Sequence, residues 1–282
     1  MTEAELLAFL ARGPALRVTV AEAAGSTPRA AGTWMLVGRD AVLGTIGGGQ
    51  LELLAIDEGR KRLAGGAGPA ALSVALGPEI CQCCGGRVGL RFDRVDDGLA
   101  ADLAGEIRDG LAARPAIFLF GAGHVGRAMA AALALLPVRT VVSDTRPAEL
   151  ARVEAAVETR LAALPEALVD AAPPRSAFLV LTHDHALDFL IAARALGRSD
   201  AAYIGMIGSR TKRQAFEHWL ERTTGSREPA RRLHCPIAAG SPGDKRPEVI
   251  AGFAAAEVLA ALLTPPADGT ATREASDVRS AD

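Results

Sequence analysis

Ala116-Ile-Phe-Leu-Phe120 runs directly into Gly121-Ala-Gly-His-Val-Gly126, and this junction decides the fold. Five apolar residues in a row read as a strand buried on both faces. The glycines that follow fit GxGxxG, a spacing that gains meaning only between a strand and a helix. Gly121 permits the tight turn, Gly123 lets backbone come close to a phosphate, and Gly126 lets the helix pack on the strand. The helix start, with His124 inside the turn, offers N–H groups and partial positive charge to an anion. An acid is expected about 20 positions on, after the next strand. Asp144 stands there, in Ser143-Asp144-Thr145-Arg146. It is placed to accept from ribose hydroxyls, whereas Arg146 would favour an extra phosphate.

Downstream of the junction the pattern alternates. Strands are predicted over 139–143, 177–182 and 202–206, and helices over 123–136, 186–196, 210–221 and 247–263. Such alternation implies an α/β fold, a Rossmann-like doubly wound parallel sheet over residues 115–264. Ligands of open parallel sheets sit outside the carboxyl ends of the strands. Thr182-His183-Asp184-His185 and the loop from Gly205 to Ser209 belong to that edge. His183, Asp184 and His185 have metal-ligand chemistry, but capping of the next helix by Asp184 is the preferred reading. Ser209, Arg210 and Lys212 at a helix start are candidates to hold a phosphate group. From 265 to 282 the residues are small, polar and charged, and a disordered tail is expected.

Upstream, residues 1–96 read as a smaller mixed α+β domain. Strands are predicted over 16–23, 33–37, 41–46, 73–76 and 87–92, with a helix over 50–63. Residues 97–114 read as a connecting amphipathic helix, with Leu99, Leu103, Ile107 and Leu111 at four-residue spacing. Two segments here are rich in small donors, Gly25-Ser26-Thr27-Pro28-Arg29 and Gly44-Thr45-Ile46-Gly47-Gly48-Gly49. Main-chain N–H nests of this kind bind anions, and Arg29 adds a fixed fork of charge. Ser26, Arg29, Gly47, Gly48 and Gly49 are therefore candidate ligand-binding residues. Cys81-Gln-Cys83-Cys84-Gly85-Gly86 adds soft sulfur to flexible backbone. Adjacent cysteines on a strand point different ways, which suits one exposed thiol better than a closed zinc site.

The remaining composition narrows the classes. The chain has 282 residues, four cysteines and a formal net charge of -2. Three cysteines within four positions do not look like a secreted disulfide framework. No basic stripe is present for nucleic acid. The N-terminus lacks the basic and apolar regions of a signal peptide, and no apolar run reaches membrane length. A cytoplasmic setting without a membrane partner is expected.

Taken in order, these motifs resemble the XdhC/CoxI family of accessory proteins. The likeness rests on Ser26-Thr27-Pro28-Arg29, Gly32-Thr33-Trp34-Met35, Gly47-Gly48-Gly49 through Glu52, and Gln82-Cys83-Cys84-Gly85-Gly86. It continues through the glycine turn, Asp144-Thr145-Arg146, Thr182-His183-Asp184, the segment from Tyr203 to Lys212, Cys235-Pro236-Ile237 and Pro247-Glu248. Cys81 departs from the pattern. The resemblance implies binding of molybdenum cofactor of the molybdopterin type, protection of it during sulfuration by a cysteine desulfurase, and insertion into xanthine dehydrogenase. It implies a chaperone without turnover of its own. Ser26, Arg29, Gly47, Gly48, Gly49, Gly121, Gly123, His124, Gly126, Asp144, His183 and Ser209 would bind the cofactor. Cys83 and Cys84 would meet molybdenum or its sulfur. A homodimer is a fair default. The other reading is an NAD(P)-dependent oxidoreductase using the glycine turn, with a nucleotide bound there. It leaves the cysteine cluster unexplained, and no catalytic Tyr–Lys pair accompanies it.

Overall fold

The computed structural model describes residues 1–69, 71–77 and 85–264. Cys81, Cys83 and Cys84, and the tail expected over 265–282, lie outside these residues. The chain forms two compact units, Met1–Ala113 and a second from Arg114 onward.

The first unit holds α1 (Glu3–Leu10), β1 (Ala15–Ala24), β2 (Trp34–Gly38), β3 (Val42–Gly44), α2 (Gly49–Leu63), β4 (Ala71–Ala75), β5 (Arg87–Arg94) and α3 (Asp97–Ala112). Its five strands form an antiparallel sheet in the order β3-β2-β1-β5-β4. Alternation along β2 sends Met35 and Val37 to one face and Leu36 to the other. Met35 and Val37 join Val18, Val20 and the α2 residues Leu51 and Ala55. Leu36 joins Leu6 and Phe9 of α1 and Leu103, Ala104 and Ile107 of α3. The helix read from sequence as a connector thus packs into the first unit. The sequence reading lacked α1, yet Thr2 and Glu5 carry a reciprocal capping box, a legible start signal.

The second unit holds β6 (Ala116–Phe120), α4 (His124–Leu133), β7 (Arg139–Asp144), α5 (Pro147–Leu150), β8 (Glu158–Leu161), α6 (Ala167–Asp170), β9 (Ala177–Val180), α7 (His185–Leu196), β10 (Tyr203–Met206), α8 (Arg210–Thr224), β11 (Leu233–His234) and α9 (Pro247–Leu263). All six strands are parallel, in the order β11-β10-β9-β6-β7-β8. The chain starts at β6, steps outward to β8, returns to β9 and steps outward the other way. This is the doubly wound Rossmann arrangement, with its switch point between β6 and β9. Phe118, Phe120 and Phe178 pack under α7 and α8 on one face. Ile117 and Leu119 pack under α4 and α9 on the other.

Candidate functional site

In the first unit, three loops meet. A Cβ on Gly25 would lie 3.2 Å from the Gly86 Cα, and one on Gly86 would lie 2.2 Å from the Ser26 carbonyl oxygen. Ser26 and Gly85 form a parallel bridge. A Cβ on Gly47 would lie 2.5 Å from the Pro28 Cβ. Gly25 and Gly86 face backbone and Gly47 faces the Pro28 ring, so a side chain at any of the three would crowd the place where the loops touch. Ser26 and Arg29 remain exposed at the junction. Cys84 is the residue before Gly85 in sequence.

The anion that sits in the 44–49 loop is the chain's own. Glu52 Oε2 accepts from Thr45 Oγ1 at 2.5 Å, Ile46 N–H at 3.0 Å and Gly48 N–H at 3.1 Å. Gly47 N–H donates to Thr45 Oγ1 at 3.1 Å. Burial works to raise the Glu52 pKa, but hydrogen bonds from Thr45, Gly48 and Ile46 outweigh it and hold the carboxyl below its ordinary range. The N–H groups of Gly47 and Gly48 are thus engaged internally, which corrects the reading of them as donors to an outside anion. Gly49 opens α2.

In the second unit, the glycine turn lies at the switch point. Gly121 N–H donates to the Ser143 carbonyl at 2.7 Å, and Leu181 N–H to the Phe120 carbonyl at 2.8 Å. A Cβ on Gly126 would lie 1.9 Å from the Gly121 carbonyl oxygen, and one on Gly121 would lie 2.5 Å from that of Leu181. These two glycines are required by packing. Gly123 is not: its φ is -66°, and an added Cβ would meet nothing within 4 Å. Its bareness leaves the start of α4 open.

Asp144, at the end of β7, is 5% exposed. Its Oδ2 accepts from Ala122 N–H at 2.8 Å and Arg146 Nη2 at 3.0 Å; its Oδ1 accepts from Arg146 N–H and Nε, both at 2.9 Å. Burial works to raise its pKa, and the Arg146 fork with the Ala122 and Arg146 N–H groups lowers it below the usual carboxylate range. Exposed His183 lines a small cavity there with Gly121, Ser143, Asp144 and Thr182. His124 is exposed on α4 and borders a separate groove of about 400 Å³ with Arg127, Arg152, Glu154 and Glu248.

Asp184 caps α7, accepting from Ala186 N–H at 2.8 Å and Leu187 N–H at 3.3 Å. Ser209 caps α8, accepting from Lys212 N–H at 3.2 Å. The Lys212 ammonium pairs with Asp188 and donates to the Ile207 carbonyl at 2.9 Å, so it is committed inward and not to a phosphate. Asp188, which the sequence reading missed, is fully buried and also accepts from Thr182 Oγ1 at 2.6 Å. The pair ties the loops after β9 and β10 together. Cys235 is buried, and burial pushes its thiol pKa up against the opposing pull of Lys212 and Arg213. It is a poor nucleophile for that reason. Among the described residues, no three His, Cys, Asp or Glu side chains converge on one point, and no helix is long and apolar enough to cross a membrane.

Residues 117–258 match the family model of the XdhC Rossmann domain, and residues 9–73 that of the XdhC and CoxI family. The chain is similar to an uncharacterized protein of Escherichia coli (strain K12), YqeB, at 30% identity over 260 residues, 87% of this chain and 43% of that one. It spans less than half the length of that curated relative. A Bacillus halodurans crystal structure, described as a xanthine dehydrogenase, matches with a TM-score of 0.75 at 20% identity, over 93% of this chain and 96% of the other. At that identity the likeness bears on the fold alone.

Proposed function

We propose a function on one premise: this chain belongs to the XdhC and CoxI family. It is an accessory protein that takes up molybdenum cofactor in the cytoplasm, shields it while a cysteine desulfurase adds the terminal sulfur, and delivers it to a xanthine dehydrogenase. The cofactor is cargo, and the chain completes no reaction on it.

The observation that carries this reading is the meeting of the 25–29, 44–49 and 85–86 loops. Gly25 and Gly86 bring main chain to main chain, Gly47 packs against the Pro28 ring, and Gly85 continues directly from the Cys83–Cys84 pair in sequence. Thiolates are soft ligands that suit a metal–sulfur centre. Arg29 stands exposed in the 25–29 loop, and its fork suits the pterin phosphate. Glu52 fixes the 44–49 loop from within, so Gly47 and Gly48 shape the site rather than bind the phosphate, while Gly49, at the start of α2, is kept as a ligand contact. In the second unit, the open start of α4 at Gly123 offers a further place for a phosphate. Gly121, Gly126 and Asp144 hold that turn in shape, while His124, His183 and Ser209 stand at the same edge of the sheet.

Purification from cofactor-producing cells tests this reading. Acid release and oxidation of the bound material should yield fluorescent pterin, with molybdenum in proportion. Protein free of both, from cells that make the cofactor in excess, would contradict the assignment.

A further inference from the structure

We propose that the C-terminal glycine turn serves no dinucleotide, because Asp144 is a positioning residue that holds the turn and not an acceptor for ribose. Sheets wound in this order place the ribose hydroxyls of a dinucleotide on an acid at the end of the second strand. Asp144 occupies that place at the end of β7. An ionised carboxylate has about four acceptor sites. Here four donors fill them: the Ala122 N–H and the Arg146 N–H, Nε and Nη2. A ribose diol would have to displace the Arg146 fork or the Ala122 N–H.

The space agrees with the hydrogen bonding. The cavity that Asp144 lines with Gly121, Ser143, Thr182 and His183 measures about 10 Å³, room for about one water molecule. Ser143 Oγ, buried without a protein partner among the described residues, faces the same limit. With the side chains in these positions the cavity does not admit a ribose.

What the acid does instead is visible at Ala122. Asp144 takes its N–H at 2.8 Å, and Arg127 Nη1 donates to its carbonyl at 2.8 Å while also holding Glu149 at 2.8 Å. The middle of the glycine turn is gripped at both polar groups. A fixed turn keeps the start of α4 aimed outward, and the open side at Gly123 admits a group the size of a phosphate but gives it no ribose partner at Asp144.

Two measurements on the full chain test this. Equilibrium dialysis with NAD⁺ and with NADP⁺ should show no saturable binding up to about 1 mM, the range of weak association. Hydrogen exchange at the Ala122 amide should be slow in the unaltered protein and roughly tenfold faster or more in Asp144→Asn, which weakens a charge-assisted hydrogen bond. Saturable binding of either dinucleotide overturns the proposal, and so does an Ala122 exchange rate unchanged by the substitution. The dialysis uses the unaltered chain, so it decides the matter even if the variant does not fold.

Discussion

Glu52 closes the loop that leads into its own helix, with its Oε2 2.5 Å from Thr45 Oγ1 and 3.1 Å from the Gly48 N–H. A carboxylate in that position favours both the main-chain turn and the helix start. Glu52→Gln keeps the shape and removes the charge. It should destabilise the first unit by about 1–2 kcal/mol, read from urea unfolding. The pH dependence has a definite sign. The folded carboxyl titrates below its ordinary value, so its stabilisation is full above the unfolded pKa of about 4.3 and disappears as pH falls through the folded one. The gap between the two proteins should hold steady at neutral pH and narrow below about pH 4.

Gly126 and Gly123 make a paired test of the glycine turn. Gly126→Ala drives a methyl to 1.9 Å from the Gly121 carbonyl oxygen and should cost about 3 kcal/mol. Gly123→Ala places its methyl in open space and should change stability by about 1 kcal/mol or less. Equal losses from the two in thermal unfolding would show that the turn is not packed as described.

Lys212 neutralises Asp188 where that acid is fully buried. Lys212→Met leaves the charge uncompensated and should cost about 3–5 kcal/mol. Adding Asp188→Asn to it should recover part of the loss. A double variant no more stable than the single one would mean that the two side chains do not act as a pair.

Much of the fold was legible because it is written in local patterns. Ala116–Phe120 announces itself by five apolar residues, and its predicted ends match the strand found. β8 does not announce itself. Its sequence is Glu158-Thr-Arg-Leu161, an edge strand whose charges pair with Arg139 and with each other, as exposed edges require. The site was legible in position more than in bonding. Asp144 falls where the spacing places it, but its partners Ala122 and Arg146 come from two directions that sequence does not order. Asp188 was missed because a buried acid inside an amphipathic helix looks like a solvated one until Lys212, 24 residues later, is seen against it.

The most direct test of the carrier function is a transfer assay. Freshly released molybdenum cofactor is mixed with the purified chain and passed through gel filtration. The protein fraction is then assayed over time for activation of apo-xanthine dehydrogenase. Activating power should travel with the protein and outlast that of free cofactor, and a Cys83→Ala, Cys84→Ala double variant with unchanged circular dichroism should lose both properties. Cofactor that elutes apart from the unaltered chain, or decays as fast beside it as alone, would contradict the account.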